Sequence, residues 1–119
     1  MSTRCMIGKL LPDNTVRAIY CHFDGYPKYA LEILRKSYTD EKKVDALLDL
    51  GDLSVLGSEL GEKHDFDDRG SQGDVCTAYH RDRGEDIEKT GAKNMLLIKF
   101  RKYPVDYCYL FENCFWEMT

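Results

Sequence analysis

Residues 3–10 and 16–22 are rich in apolar residues and read as two strands, the second dividing its side chains between two faces with the period of two. Pro12-Asp13-Asn14-Thr15 lies between them, with Pro suited to an early turn position and Asn to positive φ, so a hairpin is expected. In its second strand Ile19, Cys21 and Phe23 form the expected core side, with Arg17 near the solvent end, while Tyr20 and His22 point to the opposite face. Asp24-Gly25-Tyr26-Pro27 then breaks the strand. Ala30, Leu31, Leu34 and Tyr38 fall on one stripe of a helix over 28–38. Thr39 reads as the N-cap of a second helix, Asp40 and Glu41 favour its dipole, Val44, Leu47 and Leu48 give its apolar stripe, and Gly51 stops it.

Beyond Gly51, residues 52–57 form a short apolar turn and 61–74 a polar, Gly-containing surface loop. A third strand is expected over 75–81, with Cys76, Ala78 and His80 on one face and Val75, Thr77, Tyr79 and Arg81 on the other. A second polar stretch covers 82–94, and 95–101 fits either a strand or a short helix. Residues 105–111 and 114–118 predict a hairpin turning at Glu112-Asn113. The expected fold is a single α+β domain over 1–119, an antiparallel sheet of about five strands with two helices packed on one face.

Composition narrows the setting. The chain of 119 residues is 43% hydrophobic and 32% charged, ordinary for one globular core. No apolar run approaches the ~20 residues that span a bilayer, and MSTRCMIGKL lacks the apolar stretch of a signal peptide, so the protein is expected to remain where it is made. Cys5, Cys21, Cys76, Cys108 and Cys114 show neither CxxC nor zinc-ligand spacing and read as free thiols acting as small apolar residues. A net charge of −4 argues against broad nucleic-acid binding.

Three segments carry candidate chemistry. Cys21-His22-Phe23-Asp24-Gly25-Tyr26-Pro27 sets an imidazole, a carboxylate and a phenol at a strand end, where His22 and Asp24 suit an oriented base or a ligand pair, and equally a turn cap beside a surface histidine. Tyr79-His80-Arg81-Asp82-Arg83-Gly84-Glu85 offers two guanidinium forks for phosphate if the strand continues, unless Asp82 and Glu85 neutralise them internally. His64-Asp65-Phe66-Asp67-Asp68 has hard-cation donors without the EF-hand order. Arg4 and Arg17 add guanidiniums on the N-terminal hairpin. The aromatic residues cluster at the C-terminus, where Tyr107, Tyr109 and Phe111 share a face, a core or a contact surface.

The order TRCMIG, DNTVRAIYCHFDGYP, KVDALLDLGDLSVLG, CTAYHRDRGE and YCYLFENCFWEM resembles a family of small accessory proteins encoded by bacteriophages and prophages. The likeness runs over nearly the whole chain, IYCHFDGYP with RDRGE being the specific pair, and departs from the family pattern over 87–104. It implies a non-structural phage protein in the bacterial host cytoplasm and carries over neither a cofactor nor a catalytic residue. Proteins of that kind often counter host immunity by inhibiting a defence protein or sequestering a nucleotide signal, an argument by association.

Two sets of roles follow. In a binder, Tyr20, His22 and Tyr26 build a pocket with Arg81 and Arg83 across a homo-oligomer interface, the tyrosines stacking a base and the arginines holding phosphate, with Asp24, Tyr79, Asp82 and Glu85 completing the surface. The same face serves equally to block a host defence protein. The alternatives are a phosphate-ester hydrolase using His22 with Asp24 or Asp82, and a structural oligomer.

Overall fold

The computed structural model describes residues 2–68 and 74–119. The expected loop over 61–74 therefore lies partly outside the described residues.

The N-terminal hairpin forms as the two runs and their turn predict. Strand β1 (Cys5–Leu10) pairs antiparallel with β2 (Thr15–Phe23), Ile7 opposite Ile19. The turn closes through Asn14 N–H to the Leu11 carbonyl at 2.9 Å, with Asn14 at φ 65° and Asp13 accepting from the Thr15 amide and hydroxyl. After Asp24, itself at φ 58°, the chain passes so close beneath β1 that a Cβ on Gly25 would lie 2.9 Å from Cys5 Cβ. Gly25 N–H donates to the Thr3 carbonyl, and the Tyr109 hydroxyl donates to the Gly25 carbonyl at 2.6 Å.

The helix expected over 28–38 divides into a π-helical turn, Pro27–Leu31, and α1 (Glu32–Ser37). Helix α2 (Glu41–Leu50) is capped by Asp40, whose carboxylate accepts from the Lys42 amide, and not by Thr39. It stops at Gly51, φ 78°, as its position suggested. The apolar segment after it is a strand, β3 (Leu53–Val55), paired parallel to β2.

A 3-10 turn (Phe66–Asp68) precedes β4 (Thr77–Ala78). The strand expected over 75–81 ends there, and the chain turns into helix α3 (Tyr79–Arg83), closed by Gly84 in the left-handed region. Helix α4 (Ile87–Thr90) is capped by Asp86. The ambiguous stretch holds both states, β5 (Lys93–Leu96) followed by α5 (Leu97–Arg101). Strands β6 (Tyr107–Glu112) and β7 (Phe115–Met118) make the C-terminal hairpin, turning at Asn113-Cys114, both with positive φ, one residue later than expected.

The fold is α+β, but the sheet is mixed and has seven strands among the described residues, in the order β4-β3-β2-β1-β6-β7 with β5 also on β2. The two parallel pairs, β1 with β6 and β2 with β3, replace the purely antiparallel sheet that was expected. Parallel pairing joins segments distant in sequence and leaves no turn signature to read. Helices also cover both faces rather than one. On the first face α1 and α2 bring Leu34, Val44, Leu47 and Leu48 against Ile7, Ile19, Cys21 and Leu53. On the second, Phe100 of α5 packs with Met6, Val16, Ala18, Cys108 and Leu110. The alternation in β2 thus separates two cores, not core from solvent, and Phe23 is exposed at its end. No helix among the described residues is long and apolar enough to cross a membrane.

Candidate functional site

On the second sheet face helix α5 packs against β5, β2 and β1, and Tyr20 borders the core it makes. Tyr20 and His22 emerge near the end of β2, and the Tyr20 hydroxyl donates to His22 Nδ1 at 2.7 Å in the ring tautomer protonated on Nε2. Ser54 projects to the same face from β3, since Leu53 and Val55 are in register with Cys21 and Phe23 on the other. Tyr79 begins α3 immediately after β4.

One residue fixes both tyrosines. The Asp52 carboxylate accepts from the Tyr20 amide at 2.9 Å, and its backbone carbonyl accepts from the Tyr79 amide at 3.2 Å. Burial raises the pKa of this carboxyl, against the Tyr20 N–H bond and the Lys93 ammonium. Asp52 had no part in the sequence reading. A carboxylate at the entry to a buried apolar strand was the available signal.

The Tyr79 ring lies 5.4 Å from that of Phe66, and the Arg83 guanidinium sits over Phe66 at 5.2 Å. Burial raises the Tyr79 phenol, and Tyr20 is near enough to raise it further, while Arg83 and Ser54 pull it down. The Ser54 hydroxyl is buried beside Tyr79. Burial also raises the Tyr20 phenol, opposed by the Arg4 guanidinium beside it. The face therefore carries two ring pairs, His22 with Tyr20 and Tyr79 with Phe66, with Arg4 beside Tyr20 and Arg83 over Phe66. Arg83 is half exposed and shared with Glu85 at 3.2 Å.

Other predicted site residues have different places. Arg81 does not project from a strand beside Arg83. Its five N–H donors are spent internally, on Asp82, on the carbonyls of Leu60 and Gly61, and on that of Cys76. Asp82 is buried and accepts from the amides of His64 and Ala78 as well as from Arg81. These bonds hold its carboxyl below the usual range although burial pushes it up. Arg81 and Asp82 therefore fasten the 60–64 segment to α3. His64 belongs to the same network: its Nδ1–H donates to the Glu62 carbonyl, and Nε2 accepts from the buried Thr77 hydroxyl at 3.1 Å. His80 Nδ1 meets the Glu85 carbonyl, steadying the turn after α3.

Tyr26 heads the helical segment packed on the first face, with its ring 6.2 Å from that of Tyr29, and so stands away from Tyr20 and His22. Tyr29 donates to the Leu56 carbonyl, and burial raises its phenol to about 12. Asp24 is exposed and makes no side-chain hydrogen bond among the described residues. Neither it nor Asp82 bonds to His22. In the sheet, segments 21–27 and 79–85 are thus separated by β3, which lies between β2 and β4. Among the described residues no group of three His, Cys, Asp or Glu side chains is placed to hold a metal ion.

Comparison with protein-family models, with curated proteins and with solved structures gives no match.

Proposed function

We propose that the chain is a non-enzymatic recognition protein whose Tyr20–Tyr79 face binds a phosphate-bearing nucleotide signal. The observation that supports this reading is the two ring pairs, His22 with Tyr20 and Tyr79 with Phe66, tied together by Asp52, with Arg4 beside Tyr20 and Arg83 over Phe66. Aromatic faces stack a base without regard to its identity, worth about 1–3 kcal/mol per base. Guanidiniums take phosphate oxygens through paired N–H donors. Arg4 replaces Arg81 in this role, because Arg81 has no donor to spare. The motif resemblance supplies the setting, a phage accessory protein that counters bacterial host defence by removing such a signal.

A hydrolase is less well supported. His22 is engaged by a phenol, and no carboxylate orients it.

Calorimetric titration with linear and cyclic adenine and guanine nucleotides tests the proposal. A bound nucleotide should be recovered chemically unchanged after heat denaturation. Tyr79→Ala and Arg83→Ala should each weaken binding by about tenfold, the scale of one lost stack or charged hydrogen bond. If both variants bind as the parent does, or if the nucleotide is consumed with time, the reading is wrong.

A further inference from the structure

We propose that the open edge of β5, with the groove beside it, takes an extended acidic segment of another polypeptide as an added strand. Strand β5 pairs with β2 through Val16 opposite Met95 and Ala18 opposite Lys93. Its other edge has no strand partner among the described residues. Such an edge offers alternating N–H and C=O groups, a set that another polypeptide backbone matches and a nucleic-acid backbone does not.

Next to this edge lies a groove of about 570 Å³ between β5 and α5, whose lining includes Met95, Ile98 and Tyr103 with Lys93, Lys99 and Lys102. Ile98 and neighbouring Leu96 are 59% and 60% exposed. Side chains two residues apart on an added strand point to one side, so apolar groups at alternate positions would reach Met95 and Ile98.

Charge selects the occupant. From Lys89 to Val105 there is no Asp or Glu, while Lys89, Lys93, Lys99, Arg101 and Lys102 crowd this stretch of a chain whose net charge is −4. The Lys93 ammonium is held by the carbonyls of Lys89 and Gly91. Lys99 and Lys102 have neither a hydrogen-bond nor an ion-pair partner from their side chains among the described residues. Two copies of β5 paired edge to edge would set these cations against one another, the arrangement by which edge lysines oppose self-association. A segment with carboxylates between its apolar residues meets both the cations and the groove.

The test uses fluorescein-labelled octapeptides in which Glu alternates with Val, Ile, Phe or Tyr, read by anisotropy against the whole protein. The controls are the Lys-for-Glu peptides, an N-methylated Glu peptide that cannot pair, and a single-stranded oligonucleotide. The acidic peptides should bind at least about tenfold tighter than the basic ones, and more weakly as salt rises. Lys99→Glu with Lys102→Glu should reverse the preference, and Ile98→Asp alone should lower affinity while leaving the circular dichroism spectrum unchanged. The proposal fails if no acidic peptide binds saturably, if the N-methylated peptide binds equally, or if the double variant keeps its preference. Tighter binding of the oligonucleotide overturns it in favour of a nucleic-acid surface. A dimer that the double variant abolishes overturns it in favour of a second copy.

Discussion

The Arg81 guanidinium grips the carboxylate of Asp82, the next residue in the chain, Nε to Oδ1 at 3.0 Å and Nη2 to Oδ2 at 3.1 Å. Adjacent side chains in an extended strand point to opposite faces, so this fork exists because β4 gives way to α3 at Tyr79. The Asp82 side chain is fully buried. Removing one member of a buried pair strands the other, at a cost of about 3–5 kcal/mol. Arg81→Ala and Asp82→Ala should each lower the urea midpoint by a corresponding amount. Arg81→Lys should not restore it, since one ammonium cannot replace donors to four residues. A midpoint within error of the parent for Arg81→Ala would refute the structural role.

The same pair sets an acid limit. A carboxyl held below its ordinary pKa adds stability that is complete above the ordinary range and is lost as pH falls through the lowered value. The parent should therefore lose stability on acidification more steeply than Asp82→Asn, as urea midpoints across the acidic range will show.

Asp52 acts with the opposite sign. Its carboxyl is raised by burial, so the associated stability is present below the ordinary Asp range and is lost as pH rises through the raised value. Asn keeps an oxygen for the Tyr20 amide without the buried charge. Asp52→Asn should match the parent in acid and equal or exceed it at neutral pH. A loss at neutral pH greater than that in acid would show that the Lys93 attraction outweighs burial.

What the sequence disclosed followed the range of the interactions. The first hairpin was legible because Asp13, Asn14 and the flanking apolar runs act within a few residues. So was the end of α2 at Gly51, and its N-cap was misplaced by one residue because Thr39 and Asp40 are both capping types. The segment after Cys76 was misread because its alternation fits a strand, while the decision belongs to Arg81, which reaches carbonyls 20 and 21 residues back at Gly61 and Leu60. Gly84 as a left-handed C-cap was the local sign of a helix there. At the candidate site Tyr20 and His22 could be placed on one face from the period of two. Their link to Tyr79 depends on parallel pairing of β2 with β3 and on Asp52, and neither has a local signature.

The thiols offer a check on burial. Of the five cysteines only Cys114, in the β6–β7 turn, is exposed. Burial raises the thiols of Cys76 and Cys108, and a hydrogen bond with Cys21 followed by burial raises that of Cys5, which further slows their reaction as thiolates. A disulfide reagent at neutral pH should modify one thiol rapidly in the native protein and all five in denaturant. Rapid modification of a second thiol would place a break in one of the two cores.

Gly8 allows α5 to approach the sheet. A Cβ there would overlap Val16 Cγ1 and lie 2.8 Å from the Phe100 ring, whose side chain anchors α5. Gly8→Ala therefore overpacks a buried contact, with an expected loss of about 1–3 kcal/mol. Phe100 lies between Lys99 and the loop leading to Tyr103, so displacing it should also disturb the groove beside β5. Tyr20 borders the core around Phe100, but its amide and that of Tyr79 are both held by Asp52, which lies outside α5. Gly8→Ala should accordingly weaken acidic-peptide binding while nucleotide binding persists in the folded fraction. Equal losses of both activities would show that the two surfaces are not independent.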